Sequence, residues 1–195
     1  MQLTNRYKEA LSLAFDLHKD DRRKGKGTPY IAHLLSVSAM VMDDGGTEDE
    51  AVGGILHDSL EDHPDLVTKE SLESQFGVAV ADIVLGCTDT PDGFQGGEKP
   101  PWKDRKVAYI NHLKDASISV LKVAIADKLH NARELLSDLE LEGKSTIDRF
   151  NVGWDEQVWY LDELLAVFDD RLQGSLHLDS FRKTVRRLKS VLGLS

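Results

Sequence analysis

The stretch VLKVAIADKLHNARELL, residues 120–136, decides the class of fold. Leu121, Ala124, Ile125, Leu129 and Leu135 recur at helical spacing, so the segment predicts a helix over roughly 118–139 that runs through the core. Asp127 interrupts this apolar helix, a charge where a charge is costly.

Helical spacing extends outward in both directions, and no run of strict alternation with β-branched residues appears. The chain therefore reads as all-α, with about eight to ten helices. Leu11, Ala14, Phe15 and Leu17 stripe a first helix over about 4–19. Thr28 before Pro29 has the form of an N-cap and first-turn pair, opening a helix through Tyr30, His33, Leu34, Val37 and Met40. Gly45-Gly46 closes that segment. Thr47 and Glu50 then form a capping box for a helix that carries Val52, Ile55 and Leu56 into HDSLED. Further helices are expected from Thr68 to Phe76-Gly77, from Val78 to about Cys87, over about 102–114, around 157–169 and around 177–191. The last of these sets Phe181, Val185, Leu188 and Leu192 opposite Arg182, Arg186 and Lys189, the pattern of a docked terminal helix. Residues 89–101, DTPDGFQGGEKPP, form the clearest loop. It lacks the spacing and Lys-Ser/Thr end of a phosphate-cradling loop and reads as a connector, with a lid as the sharper option.

At 195 residues, 41% hydrophobic and 30% charged, the chain suits one soluble globular domain, with no linker-like stretch and no apolar run of membrane-spanning length. Its first residues lack the pattern of a secretory signal, and a single cysteine, Cys87, fits a reducing cytoplasm and offers no thiolate metal pair. A net charge of −10 opposes tight non-specific binding to nucleic acid, and no membrane partner is expected. A small anionic substrate would need a local basic patch, and Arg22, Arg23, Lys24 and Lys26 supply one.

The segment HDSLED crowds His57, Asp58, Glu61 and Asp62 at three- and four-residue spacings along one helical face. Carboxylates this close raise one another's pKa unless a cation joins them. His33 in one apolar helix, His57-Asp58 at the end of another and Asp127 in a third make a mixed nitrogen and oxygen donor set, suited to Mn²⁺, Fe²⁺ or Zn²⁺. The other histidines, His18, His63, His112, His130 and His177, show no partner spacing and read as structural or exposed.

With the segments RRKGKGTPYIAH, GILHDSLED and IADKLHNAR in this order, the chain resembles the HD hydrolase domain of the RelA/SpoT family, especially its small alarmone hydrolases. The resemblance implies an HD-domain helical bundle spanning residues 1–195, with the metal-site core in about 4–140 and looser C-terminal helices in 141–195. It implies a hydrolase that removes the 3′-pyrophosphate from (p)ppGpp or a related alarmone. His33, His57, Asp58 and Asp127 would bind one Mn²⁺, and Glu61 and Asp62 would handle water and protons. Arg22, Arg23, Lys24, Asn131 and Arg133 would meet the nucleotide. The residues after Asn131 read Ala-Arg-Glu where long bifunctional relatives commonly have Met-Arg-Thr, so guanine and adenine both stay open. The length leaves no room for an opposing synthetase domain.

Two other readings remain: an HD phosphohydrolase of another nucleotide or phosphorylated metabolite, and a non-catalytic alarmone sensor. Glu61 and Asp62 favour turnover, since a pure binder has no use for proton-transfer groups beside a metal. Oligomeric state is not readable from the sequence.

Overall fold

The computed structural model describes residues 1–89 and 100–194. Among them are ten α-helices: α1 (Asn5–His18), α2 (Ile31–Asp43), α3 (Glu48–Leu56), α4 (Ser59–Asp62), α5 (Lys69–Phe76), α6 (Val78–Cys87), α7 (Trp102–Asp115), α8 (Ile118–Glu142), α9 (Trp154–Arg171) and α10 (Leu176–Leu192). A 3₁₀ turn over Lys144–Arg149 joins α8 to α9, and the only β pairing among described residues is one isolated bridge, Arg22 with Pro29. No described helix is long and apolar enough to cross a membrane.

Helix α8 is the axis. Val120, Leu121, Ala124, Ile125, Leu129 and Leu135 are buried along it, and it packs against α2, α3, α6, α9 and α10. One apolar cluster unites it with α7, α9 and α10, and a second joins α1, α3, α5 and α6. Phe181, Val185, Leu188 and Leu192 are buried in the first cluster, so α10 is docked along α8 and α9. Arg182 and Lys189 on its polar side pair with Asp169 and Asp162 of α9.

Two close approaches set the helix spacing. A Cβ on Gly53 of α3 would overlap the Ile83 side chain of α6, and one on Gly86 of α6 would lie 2.6 Å from Val120 Cγ2 of α8. The missing side chains let the three backbones come together and deliver the end of α3 to the middle of α8.

Most predicted boundaries agree with the observed ones to within a few residues, and the Thr47–Glu50 capping box is present with both reciprocal bonds. The start of α2 differs. Thr28 does not cap it, because the Thr28 carbonyl accepts the Arg23 amide at 2.8 Å and the Tyr30 amide donates to the Asp21 carbonyl at 3.0 Å. These bonds close the basic loop on itself, and α2 begins only at Ile31, without a side-chain cap. The expectation of a connector or lid at 89–101 falls mainly on residues 90–99, outside the described residues.

Candidate metal centre

Three helices bring four donors together. His33 projects from the first turn of α2, His57 and Asp58 stand at the junction of α3 and α4, and Asp127 lies midway along α8. His57 Nε2 is 3.0 Å from Asp58 Oδ2 and 3.7 Å from Asp127 Oδ1, and His33 Nε2 is 3.2 Å from Asp127 Oδ1 and 3.7 Å from Asp58 Oδ2. Ligands bound at about 2.0–2.2 Å in a tetrahedral or five-coordinate site lie roughly 3–3.6 Å apart; His33, His57 and Asp58 offer ligand atoms within 4.8 Å of one another, and Asp127 Oδ1 stands near both imidazoles at the rim of that group.

The surroundings fix which ring nitrogens face inward. His57 Nδ1 donates to the Gly54 carbonyl at 2.9 Å, which turns Nε2 toward the carboxylates, and this buried Nε2 has no hydrogen-bond partner. His33 Nδ1 lies 2.9 Å from His130 Nδ1. The Tyr30 hydroxyl donates to Asp58 Oδ2 at 2.7 Å, and Asn131 Nδ2 donates to Asp127 Oδ1 at 2.5 Å. Both imidazoles are thus held through their outer nitrogens, as ligating histidines commonly are, while Tyr30 and Asn131 bond to the same carboxylate oxygens that face the imidazoles.

Burial would push the Asp127 carboxyl up, but Lys128 and then His33 and His57 hold it well below the usual carboxylate range. Burial would likewise push His57 down, but Asp58 and Asp127 raise it well above an ordinary imidazole. One buried and one half-buried carboxylate therefore recruit positive charge from whatever stands nearest, the situation a divalent ion resolves. The donor chemistry and the orphaned His57 Nε2 both fit a metal.

Glu61 and Asp62 occupy the single turn of α4, and their amides donate to the Asp58 carbonyl at 3.1 and 2.9 Å. Glu61 is half-buried and Asp62 exposed. Beside the donors opens a cavity of about 540 Å³ whose lining includes Arg22, Arg23, Lys24, Tyr30, Lys128 and Asn131. Arg23 donates to Asn131 Oδ1 at 2.6 Å and pairs with Glu134, so the basic loop is tied through Asn131 to Asp127. A larger cavity of about 670 Å³ between α6 and α7 is more apolar; none of the four donors lines either cavity, but Tyr30, Lys128 and Asn131 of the smaller one bond to them.

Arg133 is not brought to this place: it is exposed on α8 and does not line the cavity, and Glu61 and Asp62 adjoin Asp58 through their backbone without lining the cavity. Two positions past Asn131 on a helix is the opposite side. The structure adds residues that sequence reasoning missed. Lys128 pairs with Asp127 at 2.6 Å, and its adjacency to that carboxylate was the available signal. Lys106, Trp102, Gln157 and Tyr160 reach the cavity from α7 and α9, with no sequence signal at all. Several histidines read as partnerless have partners: His130 on His33, His18 and His63 on Asp21, and His177 donating to the Met40 carbonyl at 2.7 Å.

A model of the HD domain matches residues 10–149. The guanosine-3′,5′-bis(diphosphate) 3′-pyrophosphohydrolase MESH1 of Danio rerio is 35% identical over 130 residues, covering 65% of this chain and 67% of that protein. The Xenopus tropicalis MESH1 is 37% identical, covering 65% and 68%. A Synechocystis protein described as a probable guanosine-3′,5′-bis(diphosphate) 3′-pyrophosphohydrolase is 36% identical over 127 residues, but this chain spans only 16% of its length. A solved metazoan orthologue of SpoT, described as hydrolysing ppGpp, has the same fold, with a TM-score of 0.72 at 23% identity over 100% of this chain and 99% of the other.

Proposed function

The chain belongs to the HD-domain family, and from that premise we propose that it is a metal-dependent hydrolase removing the 3′-pyrophosphate from (p)ppGpp or a related alarmone such as (p)ppApp. One observation carries the reading: four metal-ligating side chains converge directly behind Tyr30, Lys128 and Asn131, which hydrogen-bond to Asp58 and Asp127 and line a cavity that Arg22, Arg23 and Lys24 make basic. A metal beside an anion-binding wall suits phosphoryl chemistry.

In this proposal His33, His57, Asp58 and Asp127 hold one Mn²⁺, and Fe²⁺ or Zn²⁺ would fit the same donors. The bound ion would polarise the phosphoryl group and lower the pKa of water. Glu61 and Asp62, hung from the Asp58 carbonyl, orient the attacking water, take its proton and return one to the departing 3′ oxygen as the phosphorus–oxygen bond breaks. Arg22, Arg23 and Lys24 neutralise the pyrophosphate, and Asn131 holds Arg23 and Asp127 in register at the nucleoside side. Arg133 has no place in this scheme. A cytoplasmic setting is supported by the free, buried Cys87.

The test is release of pyrophosphate by the purified, Mn²⁺-loaded protein from ppGpp and ppApp, against ordinary nucleotides, NADPH and other phosphorylated metabolites as controls. The proposal expects turnover of an alarmone and its loss in Asp58→Ala. No release from either alarmone, or equal rates in the two proteins, would overturn it.

A further inference from the structure

Behind Tyr30, away from the four donors already described, a second group of metal-ligating side chains converges. His18 closes α1, Asp21 follows it in the basic loop, and His63 follows α4. His18 Nδ1 is 2.8 Å and His63 Nε2 is 2.9 Å from the same atom, Asp21 Oδ2, and the candidate ligand atoms of all three residues lie within 4.8 Å of one another. The two imidazoles meet edge to face with ring centroids 4.6 Å apart. Nothing in the proposed hydrolysis uses them.

We propose that His18, Asp21 and His63 form a second binding site, for a divalent transition-metal ion of the Zn²⁺ class. Two imidazole nitrogens and one carboxylate oxygen make a nitrogen-rich set that favours Zn²⁺, Co²⁺ or Ni²⁺ over the all-oxygen preference of Mg²⁺ and Ca²⁺. The burial pattern fits such a site. The His18 side chain is 1% exposed and fixed by stacking on Tyr30, while those of His63 and Asp21 are 18% and 39% exposed, leaving an entry and coordination positions for water.

The movement needed is small. Ligands at about 2.0–2.1 Å from one ion are roughly 3.3 Å apart in a tetrahedral site, so the carboxylate must back away from each nitrogen by about half an ångström. Asp21, on the solvent side of a loop, can do this without disturbing the core. Burial also pushes the His18 imidazole down, which keeps it neutral and able to coordinate near neutral pH.

The placement gives the ion a consequence. The Asp21 carbonyl accepts the Tyr30 amide at 3.0 Å and the Arg22 guanidinium at 2.9 Å, and His63 directly follows Glu61-Asp62. An ion held there would tie the basic loop to the turn that carries the two acids. This consequence rests on the function proposed above; the site itself does not.

Metal stoichiometry tests the site separately from turnover. The full chain is stripped with chelator and titrated with Co²⁺, followed by its visible d–d absorption, and Zn²⁺ retained after desalting is counted by mass spectrometry. Two ions per chain are expected for the natural protein. One is expected for Asp21→Asn and for His63→Gln, and one for Asp58→Ala through the second site alone. Asp21→Asn is isosteric and lies at the surface, and unchanged far-ultraviolet circular dichroism confirms its fold. An ion count unchanged in both Asp21→Asn and His63→Gln, or no ion left in Asp58→Ala, would overturn the proposal, whether or not any alarmone is hydrolysed.

Discussion

His33 and His130 face each other Nδ1 to Nδ1 at 2.9 Å, within hydrogen-bond distance. If His33 Nε2 is the atom offered to a metal, a proton sits on His33 Nδ1, and His130 must accept it through a bare Nδ1. Its environment allows this: burial first, then the neighbouring His33 and Arg23, push the His130 imidazole down to about 4, so it is neutral at physiological pH. His130 then orients a ligand without touching the ion. His130→Ala should weaken metal binding about 10–100-fold, the usual effect of losing an outer partner of a ligating histidine. Chelator competition measures it, and unchanged affinity would remove His130 from the metal centre.

Arg23 spans the basic loop and α8 by donating to Asn131 Oδ1 at 2.6 Å and pairing with Glu134. In the proposed reaction its guanidinium meets substrate phosphate, so Arg23→Met should act mainly on binding. Loss of a charge-assisted hydrogen bond costs about 1.5–3 kcal/mol, or roughly 10–100-fold in KM. Steady-state kinetics on the alarmone that turns over separates the cases. A fall in kcat at constant KM would mean that Arg23 works through Asn131 on Asp127 instead.

What the sequence disclosed and what it hid divide along physical lines. The long helix α8, the capping box at Thr47 and the docked face of α10 depend on local periodicity and near-neighbour bonds, which a single chain displays directly. The four converging donors were legible because His33 and Asp127 interrupt apolar helices and His57-Asp58 ends a third, places where a polar group needs a reason. The start of α2 was not, since the Thr28 carbonyl is used by Arg23 across a turn that local capping rules do not anticipate. Lys106 and Tyr160 reach the cavity only through the packing of α7 and α9. The partnership of His18 with His63 was hidden for the same reason, as 45 positions separate them and Asp21 joins them only in space.

Gly86 sits inside a helix, where alanine would ordinarily gain about 1 kcal/mol in propensity. Here a Cβ would lie 2.6 Å from Val120 Cγ2 and 2.9 Å from its Cγ1, both methyls of a stiff, branched side chain buried in α8. Overpacking of this kind costs typically about 1–3 kcal/mol. Gly86→Ala should therefore destabilise the protein, and Gly86→Ala with Val120→Ala should recover part of the loss. Urea denaturation checks the sign, and a stabilised single variant would mean that α6 and α8 slide apart easily.

Glu50 gives the fold an acid limit that can be calculated in sign. It is 4% exposed and ties α3 to α8: Oε2 accepts the Thr47 amide at 2.8 Å and Lys122 Nζ at 3.3 Å, while Oε1 accepts the Ser119 hydroxyl at 2.8 Å. Burial alone would raise its pKa, but the Thr47 amide, Ser119 and Lys122 together hold it below the usual value. A folded pKa below the unfolded one, about 4.3, means that ionised Glu50 stabilises the fold fully above that pH and progressively less as pH falls through the folded pKa. Glu50→Gln removes the charge while keeping the shape, at a cost of about 1–3 kcal/mol near neutral pH from the weakened bonds to Lys122 and the amide. Thermal melts of both proteins should differ by a constant amount from pH 7 to about 5, and the gap should shrink as the pH falls below the unfolded value and through the lower folded one. A gap that stays constant down to pH 3 would show that shape and hydrogen-bond geometry at Glu50, rather than its charge, hold α3 against α8.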